Sequence, residues 1–234
     1  MTEFPKCPLQ PFCKHDKQCS PQSGAYVSIM SRYSNTDVPN DYKEVFMDSS
    51  VVRKDQETAY RILDKYVESF KGDGKDKSVY LFSRSPGTGK TTTAIALLHE
   101  YIRIKYLKYV KAKKSVPELI GMFLDLNDIQ RRYNMASMSK NEEEMKRITE
   151  HLEETMKVDM LVLDDVGVRS ATESFRAIVH GLINYRVTNG LPTIYTSNNS
   201  MEDMKVVFDE RLYDRIKDQT LEITFVGASK RGMR

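Results

Sequence analysis

The sequence predicts a three-layer α/β fold, a central five-stranded parallel sheet with helices on both faces. Three observations predict it. Short apolar runs of strand length recur along the chain, helical segments separate them, and a phosphate-binding loop sits where the first such strand meets the next helix. Strands covered on both faces read as near-continuous apolar runs, and parallel neighbours require a crossover between them. A chain of 234 residues has room for one full domain of about 150 to 200 residues and a small appendage.

The elements follow in order. Residues 1–50 are rich in Pro, Ser, Asn, Asp and Lys with little apolar periodicity, which predicts a small N-terminal module and a loosely structured linker ahead of a single larger domain over 51–234. From Glu57 the pattern turns helical, with Ala59, Ile62, Leu63, Tyr66, Val67 and Phe70 at spacings of three and four, until Lys71–Lys75 (KGDGK) stops it. A strand is expected at Val79–Phe82, a helix from Thr91 to about Val110, a strand at Met122–Leu126 and shorter helices beyond it. Met160–Leu163, a helix over about Thr172–Thr188, Thr193–Thr196 and a last strand near Leu221–Phe225 complete the series.

Composition narrows the function classes. A net charge of +3, from 36 basic and 33 acidic residues, describes a mixed surface, so any basic patch must be local. No apolar run approaches the roughly 18 to 20 residues of a membrane span, and the N-terminus lacks a basic segment followed by an apolar one, so the cytoplasm is expected.

The segment SRSPGTGKTT, beginning at Ser83, follows a predicted strand and opens a predicted helix, the context that a phosphate-binding loop requires. Ser85, Pro86, Gly87, Thr88, Gly89, Lys90, Thr91 and Thr92 are its ATP-binding candidates. Backbone amides around Gly87–Gly89 would wrap the phosphates, and the helix N-terminus adds partial positive charge. Lys90 would reach the β- and γ-phosphates and Thr91 would give its hydroxyl to Mg2+. The usual motif begins with Gly where this chain has Arg84; the arginine is tolerated if the loop entry is not left-handed, and otherwise weakens binding.

The partner motif is MLVLDDVG, Met160–Gly167, an apolar strand ending in two carboxylates. Ligands sit at such strand ends in open α/β sheets. Asp164 would hold Mg2+ through its water shell, and Asp165 would orient or deprotonate the attacking water. Two aspartates at a strand end also suit an ordinary turn or cap.

Beyond these carboxylates, LVLDDVGVRSATESF, PTIYTSN (Pro192–Asn198), DERLYDRI (Asp209–Ile216) and FVGASKR (Phe225–Arg231) stand in the order found in AAA+ proteins. Over roughly Glu44–Arg231 the chain resembles the DnaC/DnaI-type replicative helicase loaders and the related IstB-like transposition ATPases. The resemblance implies that Asn198 is the sensor-1 residue, with Asn199 the competing register, that Arg215 is an arginine finger acting on a neighbour's ATP, and that Arg231 is the sensor-2 arginine. It also implies an AAA+ domain without a C-terminal lid, an ATP-dependent homo-oligomer, and weak ATPase activity until assembly on a partner or DNA. The expected function is loading of a ring-shaped DnaB-type replicative helicase onto single-stranded DNA in a bacterium or its phage. An IstB-like transposition ATPase and a helicase-binding adaptor or inhibitor with little turnover are the alternatives. From the residues alone, Arg211 and Arg215 also fit a salt-bridged helix face with Asp209, Glu210 and Asp214.

Cys7, Cys13, His15 and Cys19 supply four ligands of the type that suits tetrahedral Zn2+, at an uncommon spacing; free thiols in a flexible tail are the other reading. Some DnaI-like loaders carry an N-terminal zinc-binding, helicase-binding domain. Two stretches offer surfaces for single-stranded DNA. Lys105, Lys108, Lys111, Lys113 and Lys114 alternate with Tyr106 and Tyr109, and equally suit a solvated helix end; Arg131, Arg132 and Tyr133 lie in the insertion between Asn127 and Met156.

Overall fold

The computed structural model describes residues 7–9, 23–167, 172–206 and 209–229. Its sheet has five parallel strands, β1 (Ser78–Phe82), β2 (Gly121–Asp125), β3 (Met160–Asp164), β4 (Thr193–Ser197) and β5 (Thr220–Thr224), in the order β2-β3-β4-β1-β5. Helices α1 (Gly24–Ser34), α2 (Glu57–Ser69), α3 (Lys90–Lys111), α4 (Leu126–Ser139), α5 (Glu142–Lys157), α6 (Glu173–Asn189) and α7 (Glu210–Gln219) connect and cover it. The expected fold is the observed one.

Alternation along the strands builds two cores. Val79, Leu81, Phe123, Val162, Ile194 and Ile223 face α1, α2 and α3. Tyr80, Met122, Leu124, Leu161, Leu163 and Tyr195 face α4, α5, α6 and α7. Helix α3 is buried nearly all round from Thr92 to Ile102 because it lies between the sheet on one side and α1 and α2 on the other.

The segment expected as a loose linker is folded onto this core. Ser23 caps α1 by accepting from the Tyr26 amide, and Tyr26, Ile29 and Tyr33, spaced three and four apart, bury against α3. The Tyr33 hydroxyl donates to the His99 carbonyl at 3.2 Å. Arg32 donates to the carbonyls of Val116 and Pro117, 2.7 and 2.8 Å away, tying α1 to the loop before β2. Next in the chain, the Thr36 carbonyl accepts from the Phe123 amide at 2.8 Å, on the outer edge of β2.

His99 lies under residues 45–46. Its Nδ1 is 2.8 Å from the Val45 carbonyl, and its ring packs against Tyr33 and Phe46. Burial lowers its pKa from 6.5 to about 4. The unfolded chain therefore takes up a proton on acidification before the folded chain does, and stability is lost as pH falls from 6.5 towards 4, by about 3 kcal/mol in total. Asp164, raised to about 6 by burial, acts in the opposite sense, so the effect is read as a difference between proteins. Urea midpoints of the wild type and His99→Gln should converge as pH falls from 7 to 5; parallel pH profiles would refute this origin.

Where β3 and β4 begin, Arg186 of α6 is fully buried. Its guanidinium donates to the Thr193 hydroxyl at 2.9 Å and to the carbonyls of Pro192, Val158, Met156 and Thr155 at 2.7, 2.9, 3.1 and 3.4 Å. One side chain thereby joins α6, the end of α5 and the starts of β3 and β4. Burial lowers its pKa to about 10, which leaves it charged at neutral pH.

Candidate nucleotide-binding site

The loop from Ser83 to Gly89 joins β1 to α3 at the C-terminal end of the sheet. Gly87 and Gly89 take φ of 70° and 95°, in the left-handed region that glycine adopts without strain. At Gly89, the N-cap of α3, a Cβ would also stand 2.4 Å from Val52 Cγ1. Thr88, Lys90 and Thr92 are buried, while Ser85 and Thr91 are half-buried and Pro86 is exposed. Arg84 is exposed and its φ is not positive. The loop entry thus meets the condition under which arginine can replace glycine there.

Gln56, just before α2, braces this loop from behind. Its Nε2 donates to the carbonyls of Val226 at 2.6 Å and Thr88 at 3.4 Å, and its Oε1 accepts from the Val226 amide at 3.1 Å. Nothing in its sequence context marked it, because its partners lie 32 and 170 positions away.

Lys90 opens α3, and its Nζ donates to Asn198 Oδ1 at 2.7 Å and to the Ser85 carbonyl at 3.4 Å. Asn198 follows β4, the strand between β1 and β3. The adjacent Asn199 faces elsewhere: its amide nitrogen donates to the Gly167 carbonyl at 3.2 Å, and its own carbonyl accepts from the Tyr80 hydroxyl at 2.8 Å. Of the two registers, the structure brings Asn198 to the loop lysine.

Thr91 donates to Asp164, 2.9 Å from Oδ1 and 3.2 Å from Oδ2, and Thr196 donates to the same Oδ1 at 2.6 Å. Burial raises the Asp164 pKa to about 6 against the lowering effect of both hydroxyls, and Asp165 and Asp125 raise it further. A threonine hydroxyl beside a buried carboxylate is a pair of hard oxygen donors, the type that takes Mg2+. The residues present therefore fit the cation that the sequence implies. Asp165, half-buried at φ 58°, turns the chain away from the strand. Its amide donates to Thr196 Oγ1 at 3.0 Å and its Oδ2 accepts from Asn127 at 3.1 Å. A left-handed aspartate costs on the order of 1 kcal/mol, and these bonds hold it.

Thr196, Ser197 and Asn199 lace the end of β4 to the aspartate loop, since Ser197 also donates to the Val166 carbonyl at 2.6 Å. Asp125 ends β2 in register with Asp164 and caps α4 through the amides of Asn127 and Asp128. Sequence reasoning missed Thr196, Asn127 and Asp125. Their signal was position alone, at or next to the C-terminal ends of predicted strands.

The remaining candidates lie apart from this cluster. Arg215 on α7 hydrogen-bonds Asn184 and Thr188 of α6, both at 3.0 Å. Arg231 lies outside the described residues, as do Cys13, His15 and Cys19; Cys7 is buried against the α1–α3 core. Among the basic stretches, Lys105 pairs with Asp76 at 3.3 Å, and Lys108 pairs with Asp73 at the same distance and donates to the Gly72 carbonyl. Tyr106 is buried beneath Arg32. That stretch thus behaves at these positions as an anchored helix end. Arg132 pairs with Glu144 across α4 and α5, Tyr133 packs on Phe175, and Arg131 bonds Asp128 on the exposed side of α4. No helix among the described residues is long and apolar enough to cross a membrane.

Comparison with known proteins places this geometry. Residues 74–231 match the family described as IstB-like ATP binding protein. The chain is 28% identical over 154 residues to the replicative helicase loader DnaC of Escherichia coli strain K12, covering 65% of this chain and 54% of that protein. It is 24% identical over 204 residues to the replicative helicase loader DnaI of Bacillus subtilis strain 168, covering 87% of this chain and 56% of that protein. The chain thus spans about half the length of the curated relatives it matches. Among solved structures, the DnaC helicase loader aligns with a TM-score of 0.58 at 23% identity, over 80% of this chain and 100% of that one. DnaI aligns with a TM-score of 0.57 at 22% identity, over 84% and 95%. These two likenesses show the fold.

Proposed function

Because the chain belongs to the IstB-like ATP binding protein family, we propose that it is an ATP-dependent loader that places a ring-shaped replicative helicase on single-stranded DNA. The observation that carries the enzymatic half is the meeting of Lys90 with Asn198 and of Thr91 with Asp164 at one end of the sheet. The similarity to two named helicase loaders carries the other half.

In this reading the loop amides and Lys90 bind the β- and γ-phosphates. Thr91 and Asp164 hold Mg2+, which when bound offsets phosphate charge and fixes the geometry of the transferring group. Asp165 orients and accepts a proton from the attacking water, held in place by Asn127 and Thr196. Asn198, already against Lys90, contacts the water or the γ-phosphate. Arg215 serves the site of a neighbouring subunit, so turnover is weak until subunits assemble. Arg231 serves as the sensor-2 arginine. The backbone at Arg84 favours turnover over the adaptor reading.

Of the N-terminal residues 1–50, those ahead of α1 grip the helicase in this proposal, with Zn2+ bound by Cys7, Cys13, His15 and Cys19; stoichiometric zinc in the purified protein would test the ligand assignment. The exposed side of α4, carrying Arg131, contacts single-stranded DNA. Affinity capture from bacterial extract with and without ATP decides the function. A DnaB-type helicase should be recovered, whereas recovery of a transposase with duplex DNA would favour the transposition ATPase. Because residues 24–50 belong to the core, truncation should stop at residue 22. The truncated protein should keep nucleotide binding and lose the helicase, and retained capture would sink the tether.

A further inference from the structure

The surface where α7 crosses α6 carries an arginine held by uncharged partners. Arg215 donates through Nη1 to Asn184 Oδ1 and through Nη2 to Thr188 Oγ1. Asn184 and Thr188 are four residues apart, so they lie one above the other on the same face of α6. Beneath this surface α6 buries Leu182, Ile183, Arg186 and Val187, and α7 buries Leu212, Tyr213 and Ile216. Both helices are therefore fixed against the core, and the fork between them is fixed with them.

Acids are within reach along α7, yet the arginine pairs with none of them. Asp209 caps α7 through the Leu212 amide and bonds His180, and among the described residues neither Asp214 nor Asp218 forms an ion pair with Arg215. A solvated, salt-bridged helix face would have placed a carboxylate there. The neutral oxygens instead fix the direction of the guanidinium without cancelling its charge. Among the described residues, Nε and one hydrogen on each Nη stay available for an incoming anion.

We propose that Asn184 and Thr188 are positioning residues for Arg215, an uncharged cradle that presents the guanidinium to the phosphates bound by a neighbouring subunit. This rests on the reading of Arg215 as a residue acting between subunits. A preorganised cation stabilises developing charge without reorganising during the reaction. A guanidinium free to sample other rotamers would lose part of that advantage. The cradle thus acts on turnover in the neighbour and leaves the nucleotide affinity of its own subunit alone.

The test uses full-length wild type, Arg215→Ala, the double variant Asn184→Ala/Thr188→Val and Thr188→Ser, assayed with Mg·ATP and a thymidine oligonucleotide. The double variant should lose about tenfold in kcat with KM within about twofold, and Thr188→Ser, which keeps the hydroxyl, should stay near wild type. Adding Lys90→Ala subunits, inactive themselves but with an intact Arg215, should rescue the double variant as it rescues Arg215→Ala. A fault of folding or of the variant's own site would not be rescued. Assembly induced by ADP and aluminium fluoride, followed by sedimentation, should weaken in the same two variants and gives the comparison without turnover. Wild-type behaviour of the double variant beside a defective Arg215→Ala overturns the cradle alone, as does a loss that Lys90→Ala subunits fail to rescue. Wild-type behaviour of Arg215→Ala itself overturns the reading beneath it, and the cradle with it.

Discussion

Lys90→Ala is expected to weaken ATP binding by at least about a hundredfold, roughly 3 kcal/mol, and to take turnover below detection. The lysine amine is buried at the N-terminus of α3, between a loop carbonyl and the Asn198 amide oxygen. Its charge is therefore presented where phosphates would meet the helix end, in surroundings that screen it poorly. Asn198→Ala should separate binding from chemistry, with affinity within about threefold of wild type and kcat down by about ten- to a hundredfold. Titration with a fluorescent ATP analogue reads the first quantity and phosphate release the second. Unchanged affinity in Lys90→Ala would remove the site from this loop, and equal affinity losses in both variants would make Asn198 a binding residue.

The largest effect on stability should come from Arg186→Met. Methionine fills much of the same space but leaves the carbonyls of Val158 and Met156 without this donor and that of Pro192 with only the Leu161 amide at 3.4 Å. Each buried carbonyl left unpaired costs about 1 to 3 kcal/mol, and a total of roughly 3 kcal/mol lowers the melting temperature of a chain of this length by on the order of 10 °C. Arg186→Lys keeps the charge but cannot reach all the acceptors with one ammonium, and should fall between. Thermal and urea denaturation measure both. A change below about 1 kcal/mol in Arg186→Met would show that the carbonyls find other donors and that the staple is dispensable.

The sheet and its helices were legible because burial on both faces writes itself into the chain as apolar runs. The expected strand at Val79–Phe82 became Ser78–Phe82, and the helix expected over Thr91–Val110 became Lys90–Lys111. Loop motif and aspartate pair were legible because glycine conformation and strand-end carboxylates are local properties. Helix α1 carried a usable signal, a capping Ser23 followed by Tyr26, Ile29 and Tyr33. It was submerged in a segment whose composition reads as linker, since the apolar face is short and depends on α3 for its burial. Arg186 carried none: an arginine on a helix reads as exposed, and only the convergence of residues 155–158 and 192–193 supplies enough acceptors to bury it. Arg215 was legible as a residue but not as a geometry, because its neighbours along α7 are acids while its partners lie 27 and 31 positions away on α6. Gln56 and Thr196 belong with it, as side chains whose function lies in what the fold brings to them.

One backbone contact carries a practical consequence. With the Thr36 carbonyl bonded to the Phe123 amide, the outer margin of β2 is already taken at its middle residue. An uncovered margin of this kind is a template for pairing with foreign strands. Shortening the protein past residue 36 would turn a covered border into an adhesive one, and the product should precipitate in proportion to its concentration even where the nucleotide loop is intact. Expression work on this chain should therefore keep α1 and Thr36 in place, because solubility, more than activity, is the property that a cut beyond them would forfeit.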